Sequence, residues 1–142
     1  TGTRLSFSYR DKGVRIGADT STLKFTETST QVNGFKQHKF NTWQVTGEYD
    51  VASNFTVAAQ YANNAAGTCA LNGPISCSTV GLGGNLVGLG AKYTLDRNFA
   101  LFALVAKGSA NSGAVISLGS GAGRTAIGGT INAAAVGIQA RF

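Results

Sequence analysis

Methionine is absent from this chain, proline occurs once, at Pro74, and histidine once, at His38. Charged residues make up 13% of the sequence, about half the ~25% of an ordinary soluble domain. No stretch approaches the ~18 consecutive apolar residues of a membrane-spanning helix, so any crossing of a membrane would have to be made by strands. Apolar residues follow no sustained i, i+3, i+4 pattern set against a polar face, and Gly interrupts most windows of helical length, which argues against amphipathic helices. With a single His there is no Ser-His-acid triad to credit. The two cysteines lie far from His38 in sequence and make no zinc constellation with it. Glu48 and Asp50 flank a turn and are not expected to form a catalytic carboxylate pair. No cofactor and no enzymatic activity are expected.

What is present is glycine, 20 of 142 residues, and a basic balance of twelve Lys and Arg against six Asp and Glu, +6. A nucleic-acid binder would gather its cations on one face or stripe; here they are spread from Arg4 to Arg141, and no nucleic-acid partner is expected. The chain opens Thr1-Gly2-Thr3 without Met, basic n-region or apolar h-region, so a mature product or a fragment is expected, with no signal peptide. "GSGAGRT" fails as a phosphate loop: the first Gly of G-x-x-x-x-G-K-[ST] falls on Leu118 and the Lys position is Arg124. Cys69 and Cys77 sit in the loop "GTCALNGPISCSTV". A loop-closing disulfide in an oxidising compartment is expected, the alternative being two unpaired thiols.

Period two runs through the sequence. "RLSFSYR" puts Leu5, Phe7 and Tyr9 on one face and Arg4, Ser6, Ser8 and Arg10 on the other; "TWQVTGEYD", "NFTVAAQYA" and "LVGLGAKYTL" alternate in the same way, while "NFALFALVAK" is apolar on both faces. Such strands fit a soluble sandwich with the apolar face inward, or a membrane barrel with that face toward lipid and the polar one inside. The polar face of Gly, Ser, Thr, Gln and isolated charges, with aromatics near strand ends, favours the barrel.

An internal repeat supports it. "YDVASNFTV" (49–57) and "YTLDRNFAL" (93–101) share Tyr-x-[Val/Leu]-x-x-Asn-Phe at an offset of 44, each the end of one strand, a tight turn and the start of the next. "SYRDKGVRI" makes a similar turn at Asp11-Lys12-Gly13, Asn33-Gly34 is a hairpin signal, and longer connections cover about 64–83 and 108–130. Short turns therefore alternate with long loops, as in outer-membrane barrels. Seven strands are expected, at about 3–10, 14–31, 35–50, 54–63, 84–95, 98–107 and 130–142, with no internal domain boundary over 1–142. An even number is needed to close an antiparallel barrel. By parity Arg4, Arg15, Lys24, Lys92 and Arg141 are expected on the polar, pore-lining face, where an excess of cations favours anions. Tyr9, Tyr49, Phe55, Tyr93, Phe99 and Phe142 are expected to form an aromatic girdle.

In "AVGIQARF", Val136, Ile138, Ala140 and Phe142 alternate onto one face and Gly137 stands five residues before the terminal Phe. This resembles the C-terminal assembly signal of Gram-negative outer-membrane proteins, which would make Gly137, Ile138, Ala140 and Phe142 the residues read by the outer-membrane assembly machinery. Ala135 and Ala140 depart from the usual pattern. From "SFSYRDKGVRIGA" through "GEYDVASNFTVAAQY" and "GAKYTLDRNFALF" to its end, the chain looks like the C-terminal portion of a general porin of the trimeric β-proteobacterial type. The resemblance implies an all-β, up-and-down transmembrane β-barrel of sixteen strands, to which this chain contributes its last part, and partner strands in an upstream portion of the polypeptide. It also implies residence in the outer membrane, a homotrimer, and passive diffusion of small hydrophilic solutes, with the basic residues favouring anionic ones. Nothing in the chain matches the opening strands or the inward-folded loop of that family. Two rival architectures remain: a complete eight-stranded structural or adhesin barrel, with "GAVISLG" the candidate for the eighth strand, and a soluble β-sandwich binding module.

Overall fold

The computed structural model describes residues 1–27, 32, 34–115 and 125–141. Among them are eight strands and no helix: β1 (Gly2–Asp11), β2 (Val14–Thr26), β3 (Phe35–Ala52), β4 (Phe55–Asn64), β5 (Thr68–Leu71), β6 (Gly84–Thr94), β7 (Phe99–Ala110) and β8 (Thr130–Ala140). They form one antiparallel sheet in the order β1-β2-β3-β4-β6-β7-β8, with β5 beside β3.

The strand ends follow from local chemistry. At the first hairpin Lys12 and Gly13 both take positive φ, 41° and 84°, the two-residue turn whose twist matches the strands it joins. Between β3 and β4 the register shifts at Asp50/Ala52, a bulge that absorbs an extra residue. Between β6 and β7 the Asp96 carboxylate accepts the backbone N–H groups of Asn98 and Phe99 at 2.7 and 2.9 Å, closing the turn as Asp side chains do. These three short turns lie at one end of the sheet and the long connections at the other, the alternation expected from the sequence.

The expected count of seven strands is corrected to eight, and the extra one is not in "GAVISLG". Residues 113–115 of that stretch are not strand and 116–119 lie outside the described residues, as do residues 28–31 at the end of the expected 14–31 strand, Asn33, most of "GSGAGRT" and Phe142. The eighth strand, β5, pairs with Phe35–Lys39 of β3 just beyond where β4 leaves it. β4 and β5 thus form one line of chain along β3, broken at residues 65–67. Gly67 permits the break: its φ is +73°, and a Cβ there would collide with the Lys39 carbonyl oxygen. The sheet therefore has seven strand lines.

Two further properties decide the architecture. The sheet is a single layer, and Ala100 is the one buried hydrophobic residue among those described. A sandwich would need a second sheet packed on the first, so the sandwich expectation is not met. Secondly, β1 and β8 are the free edges, separated by antiparallel steps at each of six interfaces, so they run in the same direction. Joining them directly would make a parallel pair; an antiparallel closure needs an odd number of further strands.

Candidate functional site: the two faces of the sheet

Because opposed residues in a ladder share a face, the register assigns every strand residue to one side. The aromatic side carries Leu5, Phe7 and Tyr9 on β1, Ile16 and Ala18 on β2, Trp43, Val45 and Tyr49 on β3, and Phe55, Val57 and Tyr61 on β4. It continues with Val87, Leu89 and Tyr93, then Phe99, Leu101 and Val105, then Val136 and Ile138. These side chains are uncovered: Leu5 is 72% exposed, Phe7 62% and Val136 83%. Across seven lines spaced ~4.8 Å apart the apolar area is roughly 700 Å², above the ~300–600 Å² of the largest patch on an ordinary monomer.

This apolar area is a belt with two borders. Tyr9, Tyr49, Phe55, Tyr93 and Phe99 all lie on it at the short-turn end, as expected for a girdle, with Phe55 and Tyr93 in ring contact at 6.5 Å. At the other border each strand turns polar, at Asn41, Asn63, Asn85, Lys107 and Asn132. Trp43 and Tyr61 stand there with ring centroids 5.2 Å apart. Sequence reading put them on the apolar face without making them a border; the Asn or Lys two residues away was the available signal.

The borders are oblique to the strands. The residue of β7 in register with Tyr9 is Val105, whereas the girdle residue of β7 is Phe99, six positions nearer the short-turn end. Six residues at ~3.3 Å, over five strand steps at ~4.8 Å, climb ~20 Å in ~24 Å, a slope of ~40°. The opposite border climbs in the same sense: Leu5, the last apolar residue of β1, is in register with Ser109, four positions past Val105.

The other face holds the ion pairs. Arg4 Nε donates to Asp19 Oδ2 at 2.6 Å, and Ser6 Oγ donates to the same oxygen at 2.6 Å. Arg15 Nη1 meets Glu48 Oε2 at 2.5 Å and Nη2 meets Asp50 Oδ2 at 2.7 Å, while Thr56 Oγ1 donates to Asp50 Oδ1 at 2.7 Å. Glu48 and Asp50, two positions apart on one strand face, are thus both engaged by one guanidinium and leave no free carboxylate pair. All three carboxylates of this face are taken up by Arg4 and Arg15; Arg10, Lys92 and Arg141 form no ion pair among the described residues. Lys92 and Arg141 line a hollow of about 70 Å³ near the short turns, together with Arg97 and Gln139.

Lys24 is corrected. It shares its face with Ile16 and Ala18, not with Arg15 and Asp19, and stands directly opposite Lys39. Local composition misled, because Thr20, Thr22 and Lys24 extend the aromatic side of β2 beyond its apolar belt, where that side turns polar. Cys69 and Cys77 form a disulfide with Cα atoms 5.7 Å apart. Pairing of β3 with β5 brings Cys69 opposite His38, a neighbourhood hidden by their separation in sequence, but the bonded sulfur is no metal ligand. Gly137 has a packing reason of its own: a Cβ there would stand 2.5 Å from the Phe102 ring. Ile138 and Ala140 lie on the aromatic side.

Comparison with protein-family models, with curated proteins and with solved structures finds no match for this chain.

Proposed function

We propose that this chain is the C-terminal segment of an outer-membrane porin, contributing seven strand lines to a transmembrane β-barrel that passes small hydrophilic solutes, anions preferentially. The observation that carries this reading is the oblique belt. An apolar band bordered by aromatics, running ~40° off the perpendicular to the strands, is what a barrel with strands tilted ~35–45° must turn toward lipid. Arg141 stands at the mouth of the charged face, and the cations left after Arg4 and Arg15 are paired give the water-filled side a positive field.

The partners are lipid on the aromatic side and an odd number of upstream strands bridging β8 to β1. By family resemblance they include two further copies in a trimer and the assembly machinery that reads Gly137, Ile138, Ala140 and Phe142. The reading assigns no catalysis and no cofactor. A complete eight-stranded barrel is disfavoured because β1 and β8 run the same way and β5 only continues β4. The test is extraction of the native protein followed by recording across a planar bilayer in a salt gradient. Expected are a requirement for detergent, a polypeptide longer than this chain, and a reversal potential of the anion-selective sign. Purification as a detergent-free monomer would end the membrane reading, and cation selectivity would end the assignment of Lys92 and Arg141.

A further inference from the structure

The line of β4 along β3 is carried on past residue 64 by connections that hold one another. β5 pairs with Phe35–Lys39 of β3, and just past it Asn72 N donates to Gly34 O at 2.9 Å. The chain then returns toward β6, and this returning limb docks on the connection between β7 and β8. Asn111 Nδ2 donates to Leu82 O at 3.0 Å, Asn111 N to Gly83 O at 3.0 Å, and Gly113 N to Gly81 O at 2.8 Å. The two backbones meet closely at Gly81, where a Cβ would lie 2.6 Å from Ser112 Oγ. Gly128 N donates in turn to Ala114 O at 3.0 Å, which closes the collar toward β8. Between β5 and the returning limb the joint is of another kind. It is the Cys69–Cys77 disulfide, with Thr79 Oγ1 donating to Gly67 O at 2.8 Å beside it. β5 has four residues and a register shift at Phe35/Gln37, too short a strand to hold such a joint by its ladder alone. Both cysteines are half-buried, in a connection whose tip, residues 73–76, is exposed.

We propose that the Cys69–Cys77 disulfide is the clasp of a collar at the outer mouth of the channel and a site of thiol–disulfide exchange. Its reduction by an external dithiol frees the returning limb from β5 and loosens the β7–β8 connection docked on that limb. The loosened collar then falls across the opening it borders when clasped. The coupling of the two connections stands on the contacts above; the consequence for passage rests on the porin reading, in which long connections face outside the cell. In the exchange a thiolate of the dithiol attacks one sulfur, a mixed disulfide forms, and the second thiol displaces the protein sulfur from it. Two electrons and two protons pass to the protein, which ends with two thiols, and the dithiol ends as a cyclic disulfide. The cross-link no longer restricts the conformations open to the loop between the two cysteines, and the limb is held only by its contacts to Asn111 and Gly113.

The experiment is hydrogen exchange read by mass spectrometry on the intact protein in detergent, before and after treatment with a dithiol, with channel recording in parallel. Reduction, registered as the mass of the added hydrogens, is expected to speed exchange about tenfold at the Asn111 and Gly113 amides, which belong to the other connection. Asn98 and Phe99, in a short turn at the opposite end of the sheet, keep their rates. Cys69→Ser/Cys77→Ser exchanges as the reduced protein does and ignores the dithiol; should that variant fail to fold, reoxidation of the reduced wild type must restore slow exchange. Unchanged rates at Asn111 and Gly113 in the reduced protein overturn the proposal, because the disulfide then holds only its own loop. In recordings, a dithiol on the long-connection side is expected to make closures about threefold more frequent. Faster exchange with an unaltered current overturns the control of passage. A protein that forms no channel refutes the porin reading, and the exchange rates still decide the coupling.

Discussion

Strands β1 to β4 and strands β6 to β8 turn the same kind of apolar side outward, but their opposite sides differ. On β1 to β4 that side carries Arg4, Ser6, Arg15, Asp19, Gln44, Thr46, Glu48, Asp50, Thr56 and Gln60, tied across strands by ion pairs and hydrogen bonds. On β6 to β8 it carries Leu86, Gly88, Gly90, Phe102, Leu104, Ala133, Ala135 and Gly137, polar only toward the short turns at Lys92, Gln139 and Arg141. The first half is held by charge complementarity in a wet setting. The second is held by shape, Phe102 lying over Gly137 where no Cβ intervenes. A strand apolar on both sides, as β7 is, belongs where both sides are covered; one with a charged side belongs against water.

The sharpest way to break this contrast is to place the same charge on each half. Leu104→Asp is expected to cost ~3 kcal/mol in the intact assembly, as a carboxylate forced among apolar groups does. Thr46→Asp is expected to stay within ~0.5 kcal/mol. Urea titration of the refolded protein measures both, and equal costs would erase the distinction between the halves.

Next in size is Gly137→Val, which overpacks the contact with Phe102 and is expected to lose ~2 kcal/mol, most of it returned by Phe102→Ala in the same chain. The same pair of variants, followed in cells, separates packing from recognition. If outer-membrane insertion fails in the single variant and is not rescued by Phe102→Ala, Gly137 is read by the assembly machinery as well.

The smallest expected effect is on selectivity. Arg15→Gln leaves Glu48 and Asp50 without their guanidinium and, on the proposed porin reading, is expected to lower the anion-to-cation permeability ratio about threefold, read as a shift of reversal potential. An unchanged potential would mean that the β1 to β4 face does not line the conduction path.

Much of this was legible in the chain. Alternation in "RLSFSYR" and "TWQVTGEYD" placed Tyr9, Tyr49 and Arg4 on their correct sides, because side chains reverse face at each residue whatever the neighbouring strand. The Tyr-turn-Asn-Phe repeat, together with the turn at Asp11-Lys12-Gly13, placed three short turns at one end. Lys24 stands nine positions from Arg15 on the same strand, so alternation itself puts the two on opposite faces; the expectation went astray by following the polar residues Thr20 and Thr22 beyond the belt in place of the period.

The sequence by itself thus determined period, turn positions and the all-β class, since these depend on interactions within a few residues. Only the tertiary structure decided which residues oppose one another: Arg15 with Glu48 and Asp50, Lys24 with Lys39, His38 with Cys69, β5 with the far end of β3. It also decided that the belt climbs across the strands and that β1 and β8 run the same way. The physical reason is that register is set by cross-strand hydrogen bonds and side-chain contacts between segments distant in sequence, and no local pattern encodes them.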